Sequence, residues 1–277
     1  MTTERNATLI IEPSPAWRSI DLREVWAYRE LLYFFVWRDI KVRYKQTVLG
    51  ISWAVIQPLF AMVIFTFFFG RVAKLPSDGL PYQLFAYAGL LPWTLFSNAV
   101  TNGSQSMIGS ANLVTKVYFP RILVPIASVT TGLVDFALAL LMLGPLMLVN
   151  RFHPSANALI GIPVAAALTF LTALGLSIWL SALVVRFRDL RHVIPFVVQL
   201  WMFATPIIYP LSMVPARWRW LVALNPMAPV VETFRGSLAG RPISVAALAW
   251  TALLAVVLIL TGGVYFRRLE RLFADLI

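Results

Sequence analysis

At 277 residues and 60% hydrophobic content, with a mean hydropathy of +0.79, the chain is too apolar for a soluble domain, in which the apolar share is typically about 45–50%. Its net charge of +11 rests on only 13% charged residues. The cations therefore gather between apolar runs, which points to membrane orientation and anionic headgroups, and away from nucleic acid. There is no cysteine, which excludes disulfides, thiolate metal sites and cysteine nucleophiles.

Residues 1–20 read as a cytosolic tail. MTTERNATLIIEPSP carries only the short apolar patch Leu9 to Ile11, far below the roughly 7–15-residue core of a secretory signal. Residues 21–46 are expected to form an amphipathic helix on the cytosolic membrane surface. Leu22, Val25, Trp26, Tyr33, Val36, Ile40 and Tyr44 recur at three- and four-residue steps and share one face, with Arg23, Glu30, Arg38, Lys41 and Lys45 on another. The run Arg38 to Pro58, RDIKVRYKQTVLGISWAVIQP, holds Arg38, Lys41, Arg43 and Lys45, and no charge follows until Arg71. It reads as a basic helix turning at Leu49-Gly50 into a membrane span. By residue type the basic part is a topology anchor, with an anion as the other thing it could hold.

A bilayer core of about 30 Å takes roughly 20 apolar residues. Charge-poor intervals give six spans at about 50–70, 82–102, 122–149, 158–185, 193–211 and 244–266, so that 47–277 is a six-span domain. With both termini cytosolic, 16 of the 23 Lys and Arg residues lie inside, in accord with the positive-inside bias. The outer stretch 211–241 is discordant, since it carries Arg217, Arg219, Arg235 and Arg241. It is also apolar and proline-rich. Its two short pieces, Pro215 to Leu224 and Pro229 to Leu238, cannot span and read as a re-entrant pair within 213–240. The expected fold is an all-α integral membrane protein: six transmembrane helices, an N-terminal amphipathic interface helix, and a periplasmic re-entrant helix pair before the last span.

The inner segment 103–121, GSQSMIGSANLVTKVYFPR, reads as a linker with one short helix. Its apolar residues, Met107, Ile108, Leu113, Val114, Val117, Tyr118 and Phe119, either dock a partner or lie in the lipid interface. The small polar residues before them favour a turn, and so docking. The short basic loop Arg186 to Arg191 enforces topology. Asp135 is the one acidic residue inside a span, where it costs at least about 2.5–3.5 kcal/mol. It is either a working charge or one end of a hydrogen bond between helices.

Several chemistries find no residues. There is no G-x-x-x-x-G-K-[ST] and no Gly-Lys pair, so this chain has no P-loop for ATP. His153 and His192 fall on opposite sides of the expected membrane, so they cannot share a metal. Carboxylates do not gather, which argues against an intramembrane hydrolase. An ion-coupled transporter would show several intramembrane ionisable groups. What is left is a transport bundle driven from elsewhere. Ten tryptophans fit interfacial belts, and their number also suits a passage on which sugar rings stack.

The run RDIKVRYKQTVLGISWAVIQP, the inner KVYFPR, and the outer ALNPM, set among six spans, resemble the permease subunits of type-2 ABC exporters of polysaccharides. The likeness is greatest to the O-antigen exporter permeases (Wzm), with teichoic acid exporter permeases as near relatives and capsule glycan permeases sharing the architecture but with a less similar N-terminal run, and it runs from about Trp26 to Phe266. It implies a homodimer with two copies of a separate ABC ATPase that holds the ATP and Mg, with no cofactor in this chain. It implies a cargo of undecaprenyl-diphosphate-linked glycan moved across the bacterial inner membrane. By that resemblance Arg38, Lys41, Arg43, Lys45, Leu49 and Gly50 meet the lipid diphosphate. Tyr44, Trp53, Trp93 and Phe96 line the glycan passage. Ser110, Asn112, Leu113, Lys116, Tyr118 and Arg121, within 103–121, couple to the ATPase. Residues 1–20 have no match, and recognition of a glycan terminus falls to the ATPase subunit. Two rivals are an integral membrane enzyme using lipid-linked sugars, which would gather acids or histidines at one face, and an ABC permease for a drug or small lipid.

Overall fold

The computed structural model of the chain describes residues 22–45, 50–270 and 273; Leu49 lies outside the described residues. All regular structure among them is helical. Two surface helices come first, α1 (Leu22–Ala27) and α2 (Arg29–Lys45). Gly50 opens a short 3-10 turn with φ +50°, a left-handed value that favours glycine. It leads into α3 (Trp53–Phe65), which runs on as a wider π-helical stretch over Thr66–Val72. Then follow α4 (Tyr82–Gly109), α5 (Ala111–Lys116), α6 (Leu123–Leu141), α7 (Leu143–Val149), α8 (Ala158–Arg186), α9 (Leu190–Ala204), α10 (Ala216–Leu224), α11 (Met227–Leu238) and α12 (Val245–Glu270).

Four helical stretches are long and apolar enough to cross a membrane: Gly50–Val72, Leu123–Val149, Ala158–Arg186 and Val245–Glu270. The other two expected spans differ. Helix α4 is 28 residues long, about 42 Å, and outruns its expected end at 102. The polar residues there do not stop it, because Ser104 and Ser106 turn their hydroxyls back onto the Thr101 and Gly103 carbonyls at 2.8 and 2.7 Å. Helix α9 has 15 residues and stops well short of 211. Pro206 forces the preceding Thr205 out of the helical region, to ψ 138°.

The bundle is built around α4 and α8. Helix α4 is the most enclosed, with Phe85, Tyr87, Leu91 and Phe96 fully buried. Helix α8 packs along α4 on one side and α12 on the other. Glycines allow the close approach: a Cβ on Gly175 of α8 would lie 2.8 Å from the Ile259 backbone nitrogen of α12, and small residues at such crossings let dispersion contacts form where no water is expelled. Ser177 donates to the Ala99 carbonyl of α4 at 3.1 Å.

The 26 residues of α12 separate two ends of the molecule by roughly 39 Å. At the C-terminal end of α12, a core of Phe35, Met107, Phe119, Ile178 and Phe266 joins α2, α4, α6, α8 and α12. Arg267 pairs with Glu24 at 3.1 Å. At the other end sit α10 and α11; Thr251 of α12 donates to the Pro226 carbonyl at 3.1 Å.

Candidate functional site

Helix α2 lies across α6 and does not divide into the expected apolar and polar faces. The side packed on the protein is centred on buried Phe35, with Leu31, Leu32 and Val36 half-buried, while Trp26, Tyr33 and Trp37 are exposed on the far side. The cations divide as well. At about 100° per residue, Arg43 points roughly opposite to Lys41 and Lys45. Lys41 stacks over Trp37 at 4.1 Å and Arg38 pairs with Asp39 at 2.8 Å. Arg43 instead forms an ion pair with Asp135 of α6, and the Tyr44 hydroxyl donates to the other oxygen of the same carboxylate. The lone intramembrane acid and the basic run thus meet. The Asp135 side chain is 16% exposed and that of Arg43 31%. Burial, helped by Asp135, pushes the Tyr44 phenol up to about 12, so it stays a proton donor at neutral pH.

This cluster walls a cavity of about 240 Å³ whose lining also includes Gly50, Trp53, Gln57, Asn98 and Asn102. A shallower groove of about 660 Å³ shares Arg43 and Asn102 with it and continues past Arg38 and Gln105 to Ser110, Asn112 and Leu113. The two form a polar path from the surface beneath α2 to the start of α3. Its donors are the guanidiniums of Arg43 and Arg38 and several amides, a set that suits phosphate oxygens and hydroxyls.

The proposed site residues divide accordingly. Arg43, Tyr44, Gly50, Trp53 and Asp135 converge on the cavity, and Arg38 lines only the groove. Lys41 and Lys45 are exposed and line neither. Trp93 and Phe96 are 4% and 0% exposed; they pack on each other, and Phe96 packs edge-on against Trp201, so they line neither the cavity nor the groove. The inner segment is less of a docking surface than its composition suggests: Met107, Val114 and Phe119 are core. Asn112, Lys116, Val117 and Tyr118 stay exposed, Tyr118 at 82%. Ser110 and Leu113 are half-buried. Arg121 is tied to the end of α12, its backbone N–H on the Glu270 carboxylate at 3.3 Å and its guanidinium on the Glu270 carbonyl.

The family model for ABC-2 type transporters matches residues 30–239. The chain belongs to the ABC-2 type transporter family. A relative in Klebsiella pneumoniae, O-antigen export system permease protein RfbA, is 29% identical over 90% of this chain and 95% of its own. The protein of the same name in Myxococcus xanthus is 34% identical over 77% of this chain and 82% of its own. Polysialic acid transport protein KpsM of Escherichia coli is 22% identical over 84% and 91%. The match begins at the first turn of α2 and ends just after α11, so α2 to α11 lie in the part of the chain that carries the ABC-2 signature, and α1 and α12 lie outside it.

One residue at the far end of this ABC-2 bundle escaped the sequence reading. Arg235 is 3% exposed. Its guanidinium donates to the carbonyls of Phe85 at 3.0 Å, Pro206 at 2.5 Å and Ile207, and lies 3.6 Å from the Phe85 ring centroid. It satisfies backbone that the break after α9 leaves unpaired in an apolar setting. A Cβ on Gly89 would sit 2.2 Å from its Nη2, so glycine is required opposite it. The available signal was the surplus of arginines in 211–241, where positive charge opposes the expected topology.

Proposed function

We propose that this chain is the membrane-embedded permease subunit of an ATP-driven exporter of a lipid-linked polysaccharide of the O-antigen type. The observation that carries the reading is the alignment of an O-antigen export permease along 90% of the chain. In this reading α4 and α9, the latter lengthened by the irregular 205–210 stretch, complete six spans, and α10 with α11 form the re-entrant pair. Both termini are cytosolic and the membrane is the bacterial inner membrane. The unit is a homodimer with two ABC ATPase subunits, which hold ATP and Mg; this chain performs no catalysis and needs no cofactor. The exposed Asn112, Lys116 and Tyr118 are the surface offered to the ATPase. The diphosphate of an undecaprenyl-diphosphate-linked glycan enters the groove under α2 and seats at Arg43, which keeps donors beyond the one held by Asp135. The relative named for polysialic acid transport supports a second reading, in which the cargo is a capsule glycan.

The test is ATP hydrolysis in proteoliposomes holding this chain, its ATPase and a lipid-linked glycan. The double variant Arg43→Gln with Asp135→Asn avoids an uncompensated buried charge. It is expected to lower glycan-stimulated turnover by about tenfold, the equivalent of one lost charge-assisted hydrogen bond, whereas Lys41→Ala changes stimulation by less than about twofold. Full stimulation in the double variant rules out the cavity as the cargo site. Absence of stimulation of the wild type by any lipid-linked glycan overturns the exporter reading.

A further inference from the structure

At the α10–α11 end, a second cavity of about 270 Å³ lies between α10, α11 and the start of α12. Two opposite charges line it without pairing with each other, Arg219 and Glu232. Arg219 spends its Nε on the Val214 carbonyl at 3.0 Å, and its two terminal nitrogens make no hydrogen bond among the described residues. The Glu232 side chain is 27% exposed. Its inner oxygen, Oε1, is buried with no hydrogen-bond partner. Arg235 Nη1 stands 4.0 Å from that oxygen and is already committed to a carbonyl. The third charged group, Arg241, is held by Asp78, with Nη1 at 3.3 Å from its carboxylate. The site therefore presents an exposed cation with open terminal nitrogens and a carboxylate one of whose oxygens is buried without a hydrogen bond. The rest of its lining is largely small or aliphatic, including Val222, Pro229 and Ala247, and contains no aromatic ring.

We propose that this cavity binds the headgroup of a zwitterionic membrane lipid with a primary ammonium, of the phosphatidylethanolamine type. The ammonium donates to the exposed side of the Glu232 carboxylate, and the phosphate accepts from the free end of Arg219. Arg219, which is exposed, thereby gains an acceptor for its open terminal nitrogens, and the partly exposed Glu232 carboxylate gains a donor nearer than the Arg235 guanidinium at 4.0 Å. A quaternary ammonium would call for an aromatic cage, which is missing here. The acyl chains have somewhere to lie. Helix α10 buries none of its residues, and Trp218, Trp220, Leu221 and Leu224 are exposed along it, a composition suited to the headgroup boundary. The inference is independent of which cargo the chain moves.

Native mass spectrometry of the delipidated full-length protein, titrated with phosphatidylethanolamine, phosphatidylcholine and phosphatidylglycerol, tests it. Phosphatidylethanolamine is expected to be retained about tenfold better than either alternative, the value of one charge-assisted hydrogen bond. Glu232→Gln should erase the preference for ethanolamine over choline, and Arg219→Gln should weaken all three lipids together. Ala223→Phe, which touches neither charge, fills the cavity and should abolish retention even if the Gln variant proves unstable. Equal retention of the three lipids by the wild type, or an unchanged preference in a folded Glu232→Gln protein, overturns the proposal. So does displacement of the lipid by a free oligosaccharide, which would assign the cavity to sugar.

Discussion

Pro206 ends α9 and leaves carbonyls where no water reaches, and Arg235 takes up two of them with Nη1 and Nη2 while its Nε donates to the Phe85 carbonyl of α4. A guanidinium is suited to this because its donors fan out in a fixed plane and it does not deprotonate. Arg235→Met is therefore expected to destabilise the protein by more than about 3 kcal/mol, since it strips donors from buried acceptors. Gly89→Ala should act in the same direction by pushing on Nη2. Both are read as loss of monodisperse protein on heating in detergent, and a wild-type melting temperature in Arg235→Met would show that the contacts are incidental. Such a residue is hard to find from sequence, because its partners are backbone groups of residues 150 and 28 to 29 positions away. Arg43 is different. Its separation from Lys41 and Lys45 was available from the helical repeat alone, but grouping the four cations by nearness in the chain hid it. Its partner Asp135 was conspicuous as the lone acid in a span; that the two meet is a tertiary fact.

At the scale of the helix, the apolar runs were read to within a few residues for α3, α8 and α12, because twenty apolar residues have few other fates. Helix ends depart from the apolar runs where polar residues follow them. Serine in a long helix can return its hydroxyl to the preceding turn, and α4 gains almost two turns in this way. The inner segment departs from expectation for a related reason: Met107, Val114 and Phe119 are apolar because they are core. The contact of α8 with α12 allows a sharper statement. Gly175→Leu would drive a side chain into the α12 backbone, and a loss of about 1–3 kcal/mol is expected from overpacking. Gly109→Ala, with nothing within 4 Å, is the matched control and should stay within about 0.5 kcal/mol of the wild type. A Gly175→Leu protein as stable as the control in denaturant titration would mean that the helices separate easily.

The whole molecule has two chemically distinct ends joined by buried helices. Its orientation in the bilayer is checked directly, since the chain lacks native cysteines. Tyr118→Cys and Trp218→Cys place single thiols at exposed positions of opposite ends. In intact spheroplasts a membrane-impermeant maleimide should label the second and not the first, with both labelled after lysis. The reverse pattern would invert the topology inferred from Lys and Arg counting. The class of molecule was legible at this scale, because hydropathy, charge distribution and the missing nucleotide motif all constrain the same answer. The position of each cavity was not, because cavities lie between elements whose register no local pattern sets.

The pairing of Arg43 with Asp135 also divides the basic stretch by its contact with dissolved ions. Lys41 and Lys45 stand in solvent, where a charge is damped beyond about 8 Å at physiological ionic strength. Arg43 leans on a carboxylate that is 16% exposed, where mobile ions have little access. Added salt therefore shortens the range over which the helix attracts an anion while leaving the inner pair intact. Screening at the exposed lysines and pairing at Arg43 respond to different physics within two turns of one helix.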